Sequence, residues 1–176
     1  VRWPQLAALQ GDISEKAKLF GDLLTEFPLF SATPDMTIEL TATGIVQSPR
    51  GTVYQWSTPD RATSVTLTNS FVTLATKRYE GYDAFGTRLR DVLTALEALN
   101  IPLVDRVGVR YVNRIVDPSK IEAIADLVRP EILGHQALPA ATSEVTLIQA
   151  LTQSLFQVGD GHLQARSGVL PPGETL

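Results

Sequence analysis

The sequence predicts an α+β protein in which helices pack on one face of a curved, largely antiparallel sheet. Three observations predict it: apolar residues at helical spacing in two segments, four Thr- and Val-rich segments between them, and a final pair of alternating segments joined by a tight turn. The chain has 176 residues, of which 44% are hydrophobic and 19% charged. That length and composition suit one domain, or two tightly joined halves, with a substantial core.

Two long helices are predicted in the first half of the chain. The first covers residues 13–27, because Asp12 begins a capping-box pattern and apolar residues then recur at helical spacing until Pro28. The second covers residues 83–99 and ends before Pro102. Packed on the sheet, these helices are expected to bury Phe20, Leu24, Phe85, Leu89, Val92 and Leu96.

Four strands are predicted between these helices. The segments MTIELTATGIV, TVYQWST, TSVTLT and FVTLATKRY are rich in Thr, Val and aromatic residues. The turn-forming stretch SPRG, a Pro-Asp pair and an Asn-Ser pair separate them. Such short connections favour an antiparallel meander. Tyr54 and Trp56 share one strand face, and core packing is the safer interpretation of that spacing.

The second half begins with RVGVRYVNRI, which alternates like a strand. Asp117 and Pro118 then predict the start of a third helix, and residues 129–144 are expected to form a turn or short helix and a loop. VTLIQALTQSLFQV, GDGH and LQARSGVL predict a hairpin. The face of RVGVRYVNRI expected to lie in the core comprises Val107, Val109, Tyr111, Asn113 and Ile115.

An internal similarity suggests a duplicated unit. The tripeptide VRW opens the chain and VRY occupies residues 109–111, and each precedes a capped helix. The two predicted units are residues 1–102, with the order strand, helix, four strands, helix, and residues 103–176, a truncated second copy. This element order also occurs in TATA-binding-protein-like and helix-grip folds, an analogy that implies no function.

The segment RVGVRYVNRI, with the phrase WSTPDRATSVTLTNSFVTLATKRYEGYDAF upstream, resembles a sporadically distributed family of uncharacterised prokaryotic proteins. The resemblance spans nearly the whole chain, and family members are typically longer. It implies a fold and a cytoplasmic origin, and no catalytic residue is carried over. The residues that match the family's arginine, tyrosine, any residue, asparagine, arginine core are Arg110, Tyr111, Asn113 and Arg114.

The arginines of this segment are the candidate site. On a strand, Arg106, Arg110 and Arg114 would share one face at intervals of about 13 Å, since each residue rises roughly 3.3 Å. Such a row of arginines suits phosphates or carboxylates, and Asn113 or Tyr111 could contact the edge of the ligand. In the alternative interpretation the arginines are structural and pair with carboxylates such as Glu39, Asp105 or Glu144.

Several activities are excluded or disfavoured. The absence of Cys excludes disulfides, thiolate nucleophiles and Cys-based zinc sites, and it fits a cytoplasmic protein. A net charge of −4 disfavours a general nucleic-acid binder, and no apolar run is long enough to predict a transmembrane helix. His135 and His162 lack metal-ligand spacing, and the Gly-Asp-Gly before His162 is ordinary turn chemistry. We therefore predict no catalytic residue, cofactor or metal site.

Three function classes stay open. The preferred one is a non-catalytic binding or interaction module that holds an unknown protein or a small anionic ligand on an arginine-bearing sheet face. The others are a nucleic-acid-associated protein and an enzyme with a dispersed site that lacks recognisable motifs. A continuous basic groove would favour the nucleic-acid class, and an enclosed polar pocket would favour the enzyme.

Overall fold

The computed structural model describes residues 1–41, 44–101, 104–134 and 147–169. The chain divides into two compact units, Val1–Arg110 and Tyr111–Leu176. The predicted α+β class is confirmed, because the described residues combine helices with strands whose pairings are all antiparallel.

A four-stranded antiparallel sheet forms the centre of the first unit. Its strands are β1 (Leu29–Thr41), β2 (Gly44–Ser57), β3 (Thr63–Leu67) and β4 (Val72–Thr76), and their spatial order is also their order in the chain. The predicted antiparallel meander of four strands is therefore confirmed. The segment MTIELTATGIV, predicted as one strand, instead contains the end of β1 and the start of β2.

The turn predicted at SPRG is wrong, because residues 48–51 lie inside β2. Opposite them the pairing shifts between Asp35 and Met36, so that Arg50 is an extra residue on β2. This is a β-bulge, a place where a sheet tolerates the proline and glycine that the sequence pattern assigns to a turn. The first strand also begins at Leu29, well before the predicted start at Met36.

The two predicted long helices are present as α1 (Ser14–Asp22) and α2 (Tyr82–Glu97). The side chain of Asp12 accepts hydrogen bonds from the backbone N–H and the hydroxyl of Ser14, at 2.8 and 3.1 Å. α1 is shorter than predicted. The segment after it forms turns instead of a helix, but it still buries apolar side chains. The buried residues of that segment are Leu24 and Phe27.

The core lies between these helices and one face of the sheet. Val65 pairs with Trp56 and Leu67 pairs with Tyr54, so the four side chains share that face. From α1, the ring of Phe20 meets Trp56 edge to face with 5.3 Å between centroids. Of the side chains predicted to be buried, Phe20, Leu24, Val92 and Leu96 are buried, while Phe85 and Leu89 are half-buried.

Two short segments extend the pairing beyond β4. The Trp3 N–H donates to the Ser70 carbonyl at 3.0 Å, which places residues 1–3 beside the start of β4. Arg2 is in turn bridged to Arg106. Arg106 therefore lies beside Arg2, on the side away from β4.

The described residues of the second unit form three short helices and a hairpin. The Asp117 carboxylate accepts a hydrogen bond from the Ser119 N–H at 3.1 Å, as expected for the predicted helix start. Gly159, with φ of 58°, lies in the turn of the hairpin, whose prediction is confirmed. The elements are α3 (Pro118–Glu122), α4 (Ile124–Leu127), α5 (Pro130–Leu133), β5 (Ala150–Val158) and β6 (Gly161–Val169).

The predicted duplication, residues 1–102 and 103–176, stays a prediction. Its two matching tripeptides have different surroundings: Arg2 is bridged on both sides, to Phe71 and Arg106, whereas Arg110 lies in neither a strand nor a helix. The tripeptide similarity therefore adds little support to the agreement in element order.

Candidate functional site

The strand predicted at RVGVRYVNRI is wrong. Arg106 makes a single bridge, and residues 107–116 lie in neither a helix nor a strand. The physical reason is that alternation and β-propensity produce a strand only where a neighbouring strand accepts its hydrogen bonds. The face expected in the core is exposed, as shown by Val107 (67% exposed), Val109 (67%), Tyr111 (60%) and Ile115 (38%), and Asn113 is exposed as well.

All four candidate site residues are exposed. Arg106 and Arg110 belong to the first unit, and Asn113 and Arg114 belong to the second. Among the described residues, none of the three arginines forms an ion pair. A guanidinium in this state keeps its five N–H donors for water or for a ligand. Each of these guanidiniums can therefore bind carboxylate or phosphate oxygens.

The structural alternative, in which these arginines pair with carboxylates, gains nothing from the described residues. Asp105 precedes Arg106 directly and makes no ion pair with any described side chain. The side chains of Glu39 and Glu144 lie outside the described residues. The ion pairs found in the described part of the chain are Arg78–Asp60 at 3.1 Å and Arg88–Glu26 at 3.4 Å.

A polar cavity of about 180 Å³ in the first unit was not predicted from the sequence. Asn69 is held in one wall by two hydrogen bonds: its side-chain amide nitrogen donates to the Gly11 carbonyl at 3.1 Å, and its backbone carbonyl accepts the Trp3 indole N–H at 2.9 Å. Four distant segments build the walls, so no local motif signals the cavity. Its lining residues are Gln5, Leu6, Leu9, Gln10, Gly11, Asp35, Gly51, Thr52, Thr68, Asn69 and Ser70.

The described lining of this cavity offers hydrogen-bonding groups and one carboxylate. Asp35 is the one carboxylate in the described lining, and no histidine, lysine, arginine or cysteine accompanies it. General acid–base or nucleophilic catalysis needs a second group matched to the first. The cavity can therefore hold a small polar molecule, and its lining offers no acid–base or nucleophile–base pair.

The histidines and acidic residues show no metal centre in the described part of the chain. His162 lies on β6 opposite Gln157 and is exposed, and His135 is outside the described residues. No three His, Cys, Asp or Glu side chains among the described residues gather closely enough to hold a metal ion. Separately, none of the described helices is long and apolar enough to cross a membrane.

The segment that carries the candidate arginines also carries the resemblance to the prokaryotic family. That resemblance, through Arg110, Tyr111, Asn113 and Arg114, stays a prediction. No family model matches the chain, and neither a curated protein nor a solved structure is significantly similar to it.

Proposed function

We propose that this chain is a non-catalytic binding module that uses Arg106, Arg110, Asn113 and Arg114 to hold an anionic group of a partner protein or small ligand. The observation that supports the proposal is the exposure of the three arginines without an ion pair among the described residues. The chain carries 19 acidic and 15 basic residues, so carboxylate partners are plentiful in its composition. Three exposed arginines lie within nine positions of this acidic chain, and we expect them to bind a ligand that is not part of the chain.

The proposal requires more than one arginine to act on the same ligand. A single exposed ion pair contributes only about 0.2 to 1 kcal/mol, because water and salt screen it. Planar guanidinium groups add selectivity, since each matches two oxygens of a carboxylate or a phosphate. We therefore expect a ligand with at least two anionic groups to bind better than one with a single charge.

The other function classes have less support. The described lining of the polar cavity offers no pair of catalytic groups. The net charge of −4 opposes the long-range attraction of nucleic acid, which basic proteins exploit. The proposal also places the protein in the prokaryotic cytoplasm, on the strength of the absence of Cys and of the family resemblance.

The proposal is tested with Arg110→Met and a matched control, Arg90→Met. Arg90 is exposed on α2 and, within the described residues, forms no ion pair. Inorganic phosphate, citrate, an acidic peptide and a DNA oligonucleotide are titrated against each protein by calorimetry. Loss of about 1 kcal/mol at Arg110 raises Kd about fivefold for the bound anion. The melting temperature stays nearly unchanged, because the side chain is exposed.

Two results would contradict the proposal. In one, the two variants weaken binding equally, so that the effect reflects net charge rather than this segment. In the other, binding is confined to the oligonucleotide, which would support the nucleic-acid class instead.

A further inference from the structure

The polar cavity of the first unit is large enough for a small molecule and opens to solvent. Gln5, Gln10 and Gly11 of its lining are exposed, so a ligand can enter on their side, whereas Leu9 and Thr68 of the lining are buried. An engineered cavity of about 150 Å³ binds benzene, which has six non-hydrogen atoms. The volume of about 180 Å³ therefore admits a ligand of about six to eight non-hydrogen atoms.

Two residues with oxygen acceptors flank Gly51 in this cavity. Asp35 of β1 pairs with Gly51 of β2 at the edge of the β-bulge. From the other side of β2, the side-chain oxygen of Asn69 lies 3.5 Å from the position that a Cβ of Gly51 would occupy. Because residue 51 has no side chain, it leaves the space between the two residues open. A small ligand that lies over Gly51 therefore reaches both Asp35 and Asn69.

These acceptors have unused hydrogen-bonding capacity. The carboxylate of Asp35, a half-buried residue, makes no hydrogen bond or ion pair with any group that the structure describes. The side-chain nitrogen of Asn69 donates to the Gly11 carbonyl at 3.1 Å, so the side-chain oxygen is left as an acceptor. The Thr52 hydroxyl, also in the lining, has no hydrogen-bond partner among the described residues either.

We infer that this cavity binds a small organic amine, whose ammonium group donates to the Asp35 carboxylate and to the side-chain oxygen of Asn69. An ammonium group has three N–H donors and no acceptor, which matches a site with several free acceptors. Its charge also complements the carboxylate, whereas an anion would be repelled by it and would find no arginine, lysine or histidine in the described lining. The inference goes beyond the proposed function, because it concerns another site and a ligand of opposite charge.

Hydrogen bonds hold one of the two acceptors in place before a ligand binds. The side chain of Asn69 is bonded to Gly11, and its backbone carbonyl accepts the indole N–H of Trp3, which is 1% exposed. A side chain that is already ordered loses little conformational entropy on binding. A bare metal ion is a less suitable occupant, since no three His, Cys, Asp or Glu side chains gather closely enough in the described part of the chain to hold one.

The test compares three molecules of nearly equal size by NMR titration of the protein. Serinol is glycerol with an amino group in place of the central hydroxyl, glycerol is its neutral counterpart, and glycerate is an anionic one. We expect serinol to shift the backbone amide signal of Gly51 and the side-chain amide signal of Asn69. It should bind at least about tenfold more tightly than glycerol, because a hydrogen bond between charged groups is the stronger one. Glycerate should shift neither signal.

Two protein variants assign the binding to Asp35. Asp35→Asn keeps the size of the side chain and removes its charge, so the Kd for serinol should rise at least about tenfold. Its melting temperature should stay nearly unchanged, because this carboxylate has no partner to lose among the described residues. The matched control, Asp91→Asn on α2, removes the same charge outside the described lining of the cavity and should bind serinol like the unmodified protein.

The outcomes separate this inference from the proposed function. Serinol that shifts neither Gly51 nor Asn69, or that binds no better than glycerol, would overturn the amine site. Equal weakening by Asp35→Asn and Asp91→Asn would also overturn it, because net charge would then explain the binding. Arg110→Met should leave serinol binding unchanged, so a failure of that variant to weaken anion binding would overturn the proposed function and leave the amine site standing.

Discussion

Gly21 of α1 lies directly against the indole ring of Trp56 in β2. A Cβ added at Gly21 would meet the indole nitrogen and come within 2.8 Å of Cε2 of Trp56. The backbone at Gly21 does not have a positive φ, so close packing alone explains the glycine. Trp56 is only 5% exposed and also packs against Phe20, which leaves the indole little freedom to move.

We expect Gly21→Ala to destabilise the protein by about 1 to 3 kcal/mol, the usual cost of overpacking a core. The matched control is Gly86→Ala in α2, where nothing lies within 4 Å of the added Cβ. That control should stabilise the protein by up to about 1 kcal/mol, because alanine is the better helix former. Urea denaturation of both variants measures the difference, and equal shifts would refute the close contact at Trp56.

Phe20 and Phe30 contact the same indole from different environments. Their ring centroids lie 5.3 and 5.6 Å from that of Trp56, but Phe20 is fully buried and Phe30 is 59% exposed. We expect Phe20→Ala to lower the free energy of unfolding by about 3 to 5 kcal/mol through lost burial and a new cavity. Phe30→Ala should cost about 0.5 to 1.5 kcal/mol, the contribution of an aromatic contact. Chemical denaturation measures the free energy of unfolding of both variants, and equal losses would contradict the difference in burial between Phe20 and Phe30.

Trp3 connects the start of the chain to the cavity wall. Its side chain is 1% exposed, and the indole N–H donates to the backbone carbonyl of Asn69 at 2.9 Å. We expect Trp3→Phe to cost about 1 to 3 kcal/mol, because a largely buried acceptor loses its donor and a smaller ring leaves a void. Denaturation midpoints measure this loss. A midpoint equal to that of the unmodified protein would mean that residue 3 is not docked as described.

The sequence was sufficient for the two long helices, the antiparallel order of the four strands and the final hairpin, because these depend on local periodicity and turn residues. The boundary between the first two strands was predicted wrongly. Phe20 and Val92, for example, lie on helical stripes whose spacing predicts burial. The bulge at Arg50 could not be predicted, since Pro49 and Gly51 suit a bulge as well as a turn. Only the pairing of β2 with β1 shows that these residues form a bulge and not a turn.

The candidate site shows what local patterns leave undetermined. Its residues, Arg106, Arg110, Asn113 and Arg114, stay a prediction. Residues 107–116 do not form the strand predicted to carry them, because a strand requires a neighbour that the sequence pattern does not specify. The polar cavity around Asn69 was missed because its lining comes from segments far apart in the chain. Local sequence patterns carry no information about such long-range assembly.

Asp60 provides a test through pH. The Thr58 hydroxyl donates to its carboxylate at 2.7 Å and the Ala62 N–H donates at 3.0 Å; together with the smaller effect of the Arg78 charge, these lower the pKa of Asp60 below its usual value of 3.8. A lowered pKa means that the unfolded chain binds the proton more tightly than the folded protein does. The stabilisation is therefore complete at pH values well above 3.8 and is lost as the pH falls through the lower, folded-state pKa.

We expect Asp60→Asn to unfold at a lower temperature than the unmodified protein at pH 7, and the gap to narrow as the pH falls below 3.8 towards the folded-state pKa. Asp91→Asn on α2 is the control, because Asp91 is exposed and, among the described residues, makes no ion pair. Its melting temperature should follow that of the unmodified protein across the same range. Thermal melts between pH 3 and pH 7 check this, and a gap for Asp60→Asn that is the same at every pH would show that the carboxylate charge contributes nothing to stability.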